Sequence, residues 1–168
     1  MGINKHSSES LKKDINRLRD KGLLLEKALM LGRQDVSEGT TPEEFFMDCG
    51  FKEVQSLDIT ETEGADIIHD MNNPIHSSLC ENFDFIFDGG TMEHVLDIKM
   101  FLTNCVKLLR VGGVICHVNP LNNMINHGFY QISPALYFAF YKANHYFIEK
   151  MEFIVTQKVA RDGKKYIV

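Results

Sequence analysis

The sequence predicts an α/β domain: a Rossmann-like, mostly parallel sheet closed by a C-terminal antiparallel hairpin. Three observations predict it. Short apolar runs recur at 27–31, 54–59, 65–69, 83–87 and 114–118, each with a glycine, aspartate or asparagine at or beside its end. Helix signals separate most of these runs, and such alternation implies parallel strands joined by right-handed crossovers. The tail, 153–168, reads as two strands meeting at Asp162-Gly163, a dipeptide that favours a tight hairpin turn. That hairpin would add antiparallel strands at or near a sheet edge.

The elements follow in chain order. Residues 8–21 form an amphipathic helix with Leu11, Ile15 and Leu18 on one face and Gly22 past its end. The continuous apolar run at 27–31 is the pattern of a strand buried on both faces. It ends at Gly32. Thr41-Pro42-Glu43-Glu44 is a helix start: Thr41 caps, Pro42 takes the first helical position and Glu44 completes a capping box. That helix carries Phe45, Phe46 and Cys49 and stops at Gly50. Strands at 54–59, 65–69 and 83–87 come next. Asp97 caps a helix in which Ile98, Phe101, Leu102, Cys105, Leu108 and Leu109 recur at helical spacing, with Gly112-Gly113 ending it. The strand 114–118 closes on Asn119-Pro120. Ser133-Pro134 opens a Tyr- and Phe-rich helix running to about 147. Residues 1–26 thus form a helical extension, and 27–168 the core of one domain.

Composition limits the function classes. The chain has 168 residues, 44% of them hydrophobic, enough for a real core without disulfides or metal. Its net charge of -5 argues against a nucleic-acid partner, because phosphate binding leaves a basic stripe. The pairs Lys12-Lys13 and Lys164-Lys165 read as solvated surface. Cys49, Cys80, Cys105 and Cys116 form no CxxC pair and read as reduced, small apolar residues of a cytoplasmic protein. The first residues carry no apolar signal stretch. Gly2 lacks the Ser or Thr at position 6 that myristoylation needs, since His6 stands there. No apolar run reaches the roughly 20 residues of a membrane span.

Ligands of an open parallel sheet bind at the carboxyl ends of its strands. The residues in question are Gly32, Asp58, Asp70, Asp88 and Asn119. Asp58 either accepts both hydroxyls of a ribose or holds its own turn. Asp70 either accepts from an adenine amino group, with Met71 against the purine, or anchors its loop. Asp88-Gly89-Gly90-Thr91 lets the backbone approach a ligand, with Asp88 facing either the cofactor or the second substrate; its alternative is a strand-to-loop turn. No spacing of His, Cys, Asp or Glu outlines a metal site, and His117 is expected inside the fifth strand.

The block from Phe83-Asp84-Phe85-Ile86-Phe87-Asp88-Gly89-Gly90 through Glu93-His94-Val95, with Leu108-Leu109-Arg110-Val111-Gly112-Gly113 after the next helix, resembles the central block of class I S-adenosylmethionine-dependent methyltransferases of the methyltransferase-11-like group. The runs Glu63-Gly64-Ala65-Asp66, Asn72-Asn73-Pro74 and His127-Gly128-Phe129-Tyr130-Gln131-Ile132-Ser133-Pro134 are similar to a bacterial subgroup associated with surface glycan biosynthesis. The resemblance covers about 27–150. It implies a seven-stranded sheet with the last strand antiparallel, S-adenosylmethionine as cofactor, Gly32 under its methionine part, Asp58 on its ribose, and Asp70 and Met71 on its adenine. Where that family carries an acidic residue and a GxGxG run, this chain has Leu31-Gly32-Arg33-Gln34-Asp35, with one glycine. The missing fingerprint also argues against a nicotinamide domain, which needs it to hold a pyrophosphate. Arg33 either pairs with the cofactor carboxylate or lies on the surface.

Methyl transfer to a small-molecule or glycan-type acceptor needs positioning and, for a hydroxyl or amine, a base. His127, beyond the fifth strand, is the candidate base, with Asn122 and Tyr130 as acceptor-binding residues and Asn123 and Gln131 nearby. His127 equally reads as a loop-fixing histidine, and His94 as a structural one. The aromatic helix after Ser133 offers core packing first, then a lid or a homodimer face. The competing reading is a non-catalytic binding or partner domain with a degenerate cofactor loop.

Overall fold

The computed structural model describes residues 3, 5–33, 36, 39–154, 157–159 and 165–167. Its elements are α1 (Lys5–Asp20), β1 (Lys27–Leu31), α2 (Pro42–Asp48), β2 (Glu53–Asp58), β3 (Ile67–Ile68), β4 (Phe83–Asp88), α3 (Ile98–Leu108), β5 (Leu109–His117), α4 (Pro134–Ala143), β6 (Gln157–Val159) and β7 (Lys165–Ile167). β1–β5 form a sheet in the order 3-2-1-4-5. All four of its pairings are parallel.

The strands sort their side chains to two faces because successive residues point opposite ways. Ala28, Met30, Phe85 and Phe87 pack against Leu11, Ile15 and Leu18 of α1 and Phe45 and Phe46 of α2. Leu29, Leu31, Leu57 and Ile86 pack against Phe101, Leu102, Cys105 and Leu108 of α3 and Tyr141 of α4. The result is a three-layer, doubly wound domain. α1 shares its core with β1, so it is part of the fold. Where β1 begins is set from β4: the Asp84 carboxylate accepts from the backbone N–H of Glu26 at 3.1 Å and of Lys27 at 2.8 Å, and Arg110 pairs with it at 2.9 Å.

The predicted helix starts of α2, α3 and α4 hold. Thr41 and Glu44 make both arms of a capping box, and Asp97 and Ser133 cap α3 and α4 with their side chains.

Four expectations need correction. Gly112-Gly113 does not end the helix: β5 starts directly after α3, at Leu109, and the glycines lie inside it, where its register with β4 shifts. A Cβ on Gly113 would meet the Asp84 carbonyl oxygen and Leu109 Cδ1, both at 2.8 Å. β3 is two residues long instead of five, because side chains replace its ladder. The Asp66 carboxylate accepts from the Ser56 N–H at 2.8 Å, and Asp66 N–H donates to Ser56 Oγ at 3.3 Å. α4 ends at Ala143, with Asn144 closing it through its N–H and its side-chain amide. Among the described residues the main sheet has five strands, not the seven of the resemblance. β6 and β7 pair antiparallel in a separate sheet, and the Asp162-Gly163 turn lies outside the described residues.

Because the neighbours of Gly113 are sheet backbone and a core side chain, Gly113→Ala is expected to cost about 1–3 kcal/mol, the usual cost of overpacking. Urea denaturation measures it, and a neutral substitution would show that β4 and β5 can separate freely there.

Candidate functional site

The strand order reverses direction between β1 and β4, and a crevice opens there at the carboxyl ends of the strands. It is a cleft of about 420 Å³. Gly32, Asp58, Asp70 and Met71, four of the residues expected to hold a cofactor, all line it, together with Arg33, His69, Gly90, Thr91 and His94.

Each wall has a local cause. Gly32 continues β1 into a turn at φ +70°, and its N–H donates to the Leu57 carbonyl at 2.8 Å, which holds the ends of β1 and β2 level. Asp58 ends β2. Its Oδ1 accepts from the N–H of Ile59 at 2.7 Å, and its Oδ2 from the N–H of Arg33 at 3.4 Å. Those bonds fix the carboxylate and leave lone pairs for a ligand. Asp70 sits in an Asx turn, accepting from the Asn72 N–H at 2.9 Å and from the Asn72 side chain at 2.8 Å. The bonds from Asn72, backbone first, hold its carboxyl below the usual range. Met71 is buried in the α3-side core and forms the apolar part of the floor. The Arg33 guanidinium bonds to the Glu63 carbonyl at 2.8 Å and pairs with Glu43 at 3.3 Å, joining the Glu63 turn to the first turn of α2 at one end of the cleft.

Asn104 of α3 belongs to no motif of the sequence. It is fully buried, accepts from the Ile75 N–H at 3.0 Å, and donates to the carbonyls of Met71 at 3.3 Å and Asn73 at 2.8 Å. It ties the loop that carries Asp70 and Met71 to the core. Its place among the apolar residues of α3 was the available signal.

Asp88 is corrected. It is 0% exposed and does not line the cleft. It closes β4 opposite His117, two residues after Ile86 and so on the α3–α4 side of the sheet. Oδ1 accepts from the N–H of Thr91 at 2.9 Å and of Met92 at 3.2 Å. Oδ2 accepts from His117 Nδ1 at 2.8 Å and Asn119 Nδ2 at 3.0 Å. His117 also meets the Tyr141 hydroxyl, and Tyr137 donates to Asn119 Oδ1. Burial pushes both phenols well up, so they remain protonated donors.

The residues assigned to the second substrate do not line the cleft, although His127 adjoins His94, which does. Asn122 is exposed on the loop after β5, and Tyr130 donates to the Leu96 carbonyl at 2.9 Å. His127 packs its ring 5.1 Å from that of His94 and places Nε2 3.5 Å from Glu93 Oε1. Glu93 is fully buried, and its Oε2 accepts from Asn119 Nδ2 at 3.0 Å. The fold thus gathers Glu93, His94 and His127, whose ligand atoms lie within 4.8 Å of one another. No spacing in the sequence outlined this group, because His127 arrives from a distant loop.

No family model matches the chain. A stretch of 35 residues is 43% identical to the ubiquinone biosynthesis O-methyltransferase of Rhizobium etli; it spans 21% of this chain and 14% of that protein. The enzyme of the same name from Rhizobium johnstonii matches to the same extent. Among solved structures, a SAM-dependent methyltransferase from Archaeoglobus fulgidus is similar with a TM-score of 0.42 and 16% identity, over 68% of this chain and 53% of that one. Among the described residues no helix is long and apolar enough to cross a membrane.

Proposed function

We propose that the chain is an S-adenosylmethionine-dependent methyltransferase acting on a small-molecule or glycan-type acceptor in the cytoplasm. The observation that carries this reading is the pair Asp58 and Asp70, set on one cleft at the ends of neighbouring strands with Met71 between cleft and core. The residues suit the cofactor. Asp58, already fixed by backbone N–H groups, pairs with the two ribose hydroxyls. Asp70, held ionised by Asn72, accepts from the adenine amine, and Met71 lies against the purine. Carboxylates at 58, 63 and 70 suit a cationic ligand, whereas a pyrophosphate would meet repulsion. When bound, the cofactor supplies an electrophilic methyl group. The chain's residues orient it, and the short likeness to an O-methyltransferase supports an oxygen acceptor.

Titration calorimetry with S-adenosylhomocysteine tests the reading. Micromolar binding is expected, and Asp58→Ala should weaken it about tenfold or more, the loss of a charged hydrogen-bonding partner. Absence of binding to the unaltered protein would refute the reading. Unchanged affinity in Asp58→Ala would remove Asp58 from the ribose site. Transfer of a radiolabelled methyl group to a panel of hydroxyl and amine acceptors then separates an enzyme from a binding domain.

A further inference from the structure

We propose that Glu93, His94 and His127 form a site for one divalent transition-metal ion of the zinc class, with a ligand position open to solvent. Glu93 Oε1 and His127 Nε2 are both buried, and neither has a hydrogen-bond partner. They lie 3.5 Å apart, without the alignment of a hydrogen bond. Two ligands about 2.1 Å from a tetrahedral metal lie about 3.4 Å apart, so the two orphaned atoms have the separation that a shared ion requires.

The pair is held, not merely adjacent. Phe129 N–H donates to the Glu93 carbonyl at 2.7 Å, and a Cβ on Gly128 would meet Glu93 Cγ at 2.8 Å. Only glycine lets the His127 loop come this close. Asn119 binds the other carboxylate oxygen, and Tyr137 in turn holds Asn119. Such outer partners orient metal ligands and tune their affinity. His94 is exposed on the cleft wall. All three ligand atoms lie within 4.8 Å of one another, so a movement of roughly 1.5 Å by this exposed ring brings the third ligand to the spacing of a tetrahedral ion. A fourth position stays open to water or a substrate oxygen. Two imidazoles and one carboxylate select zinc, cobalt, iron or manganese over magnesium and calcium, which prefer all-oxygen sets. The proposal stands whether or not the cleft takes S-adenosylmethionine.

The test is metal binding by the full chain after chelator treatment. Calorimetry with Zn²⁺ should give one equivalent at micromolar affinity or tighter. Co²⁺ should give visible d–d bands without a sulfur charge-transfer band. His127→Ala and His94→Ala should each weaken Zn²⁺ about tenfold or more, while His145→Ala leaves it unchanged. Because His94 is exposed, its variant keeps the test independent of folding. Failure to bind an equivalent, binding that survives both substitutions, or a sulfur band that places Co²⁺ on cysteine would overturn the site and leave Glu93 and His127 a plain buried polar contact.

Discussion

Asp88→Ala is expected to destabilise the fold by about 3–5 kcal/mol, the cost of removing one partner from a buried charged network. The side chain accepts from Thr91, Met92, His117 and Asn119 and has no exposed surface. Without it, two backbone N–H groups, an imidazole N–H and an amide lose an acceptor in a place that water does not reach. Each orphan alone costs about 1–3 kcal/mol. The surroundings relax in part, which keeps the total below the sum. Asp88→Asn preserves shape but supplies one acceptor oxygen in place of two and turns an amide N–H toward donors, so it should recover only part of the loss. Thermal unfolding should shift down by roughly 6–20 °C for Ala, at about 2–4 °C per kcal/mol for a chain of this size. A cost under about 1 kcal/mol would show that the network is not cooperative. It would also return Asp88 to the list of ligand-binding candidates, since a carboxylate that costs nothing to remove is not holding β4 to β5.

The contrast between Asp58 and Asp88 shows what was legible in the sequence. Both stand at the ends of apolar runs, and on sequence pattern both are strand-end ligand candidates. The difference lies in sheet position. Asp58 ends a strand whose outer neighbour, β3, is two residues long, so its side chain is left at the mouth of the cleft. Asp88 ends the strand between β1 and β5, and β5 carries His117 across to it. Neighbour relations of that kind are not local, and strand pattern does not encode them. Caps are local: Thr41, Asp97 and Ser133 act within three residues of themselves, and each was readable. Gly112-Gly113 misleads for the opposite reason. A glycine pair after a helical run is a common stop signal, but here a strand follows α3 directly and the close approach of Asp84 demands the second glycine. Glu93 and His127 were each visible as residues. Their meeting depends on the loop that Gly128 admits.

Asn104→Leu should separate what the cleft owes to the core from what it owes to its own residues. Leucine keeps asparagine's branched heavy-atom skeleton and its better helix propensity favours α3, which offsets part of the strain its bulkier methyls add in a fully buried place. What is lost is three hydrogen bonds to the 71–75 segment, to Ile75, Met71 and Asn73. The Ile75 N–H bond is itself buried, and losing it along with the two carbonyl bonds is expected to cost about 3 kcal/mol. The same bonds hold the wall on which Asp70 and Met71 sit. A second tie, from Asp97 N–H to Asn72 Oδ1 at 2.9 Å, remains, so the segment should loosen and not detach. S-Adenosylhomocysteine affinity should then fall about tenfold while Asp58 stays in place, since a binding-competent wall populated one time in ten weakens binding by that factor. Asn104→Asp sharpens the result. It keeps the acceptor for Ile75 but turns a carboxylate toward two carbonyl oxygens, so it should lose affinity at least as severely as leucine despite being closer in shape. If both variants unfold earlier yet bind as tightly as the parent, the 71–75 segment supports the core alone. The adenine site would then have to be sought on the Gly32 and Gly90 side of the cleft.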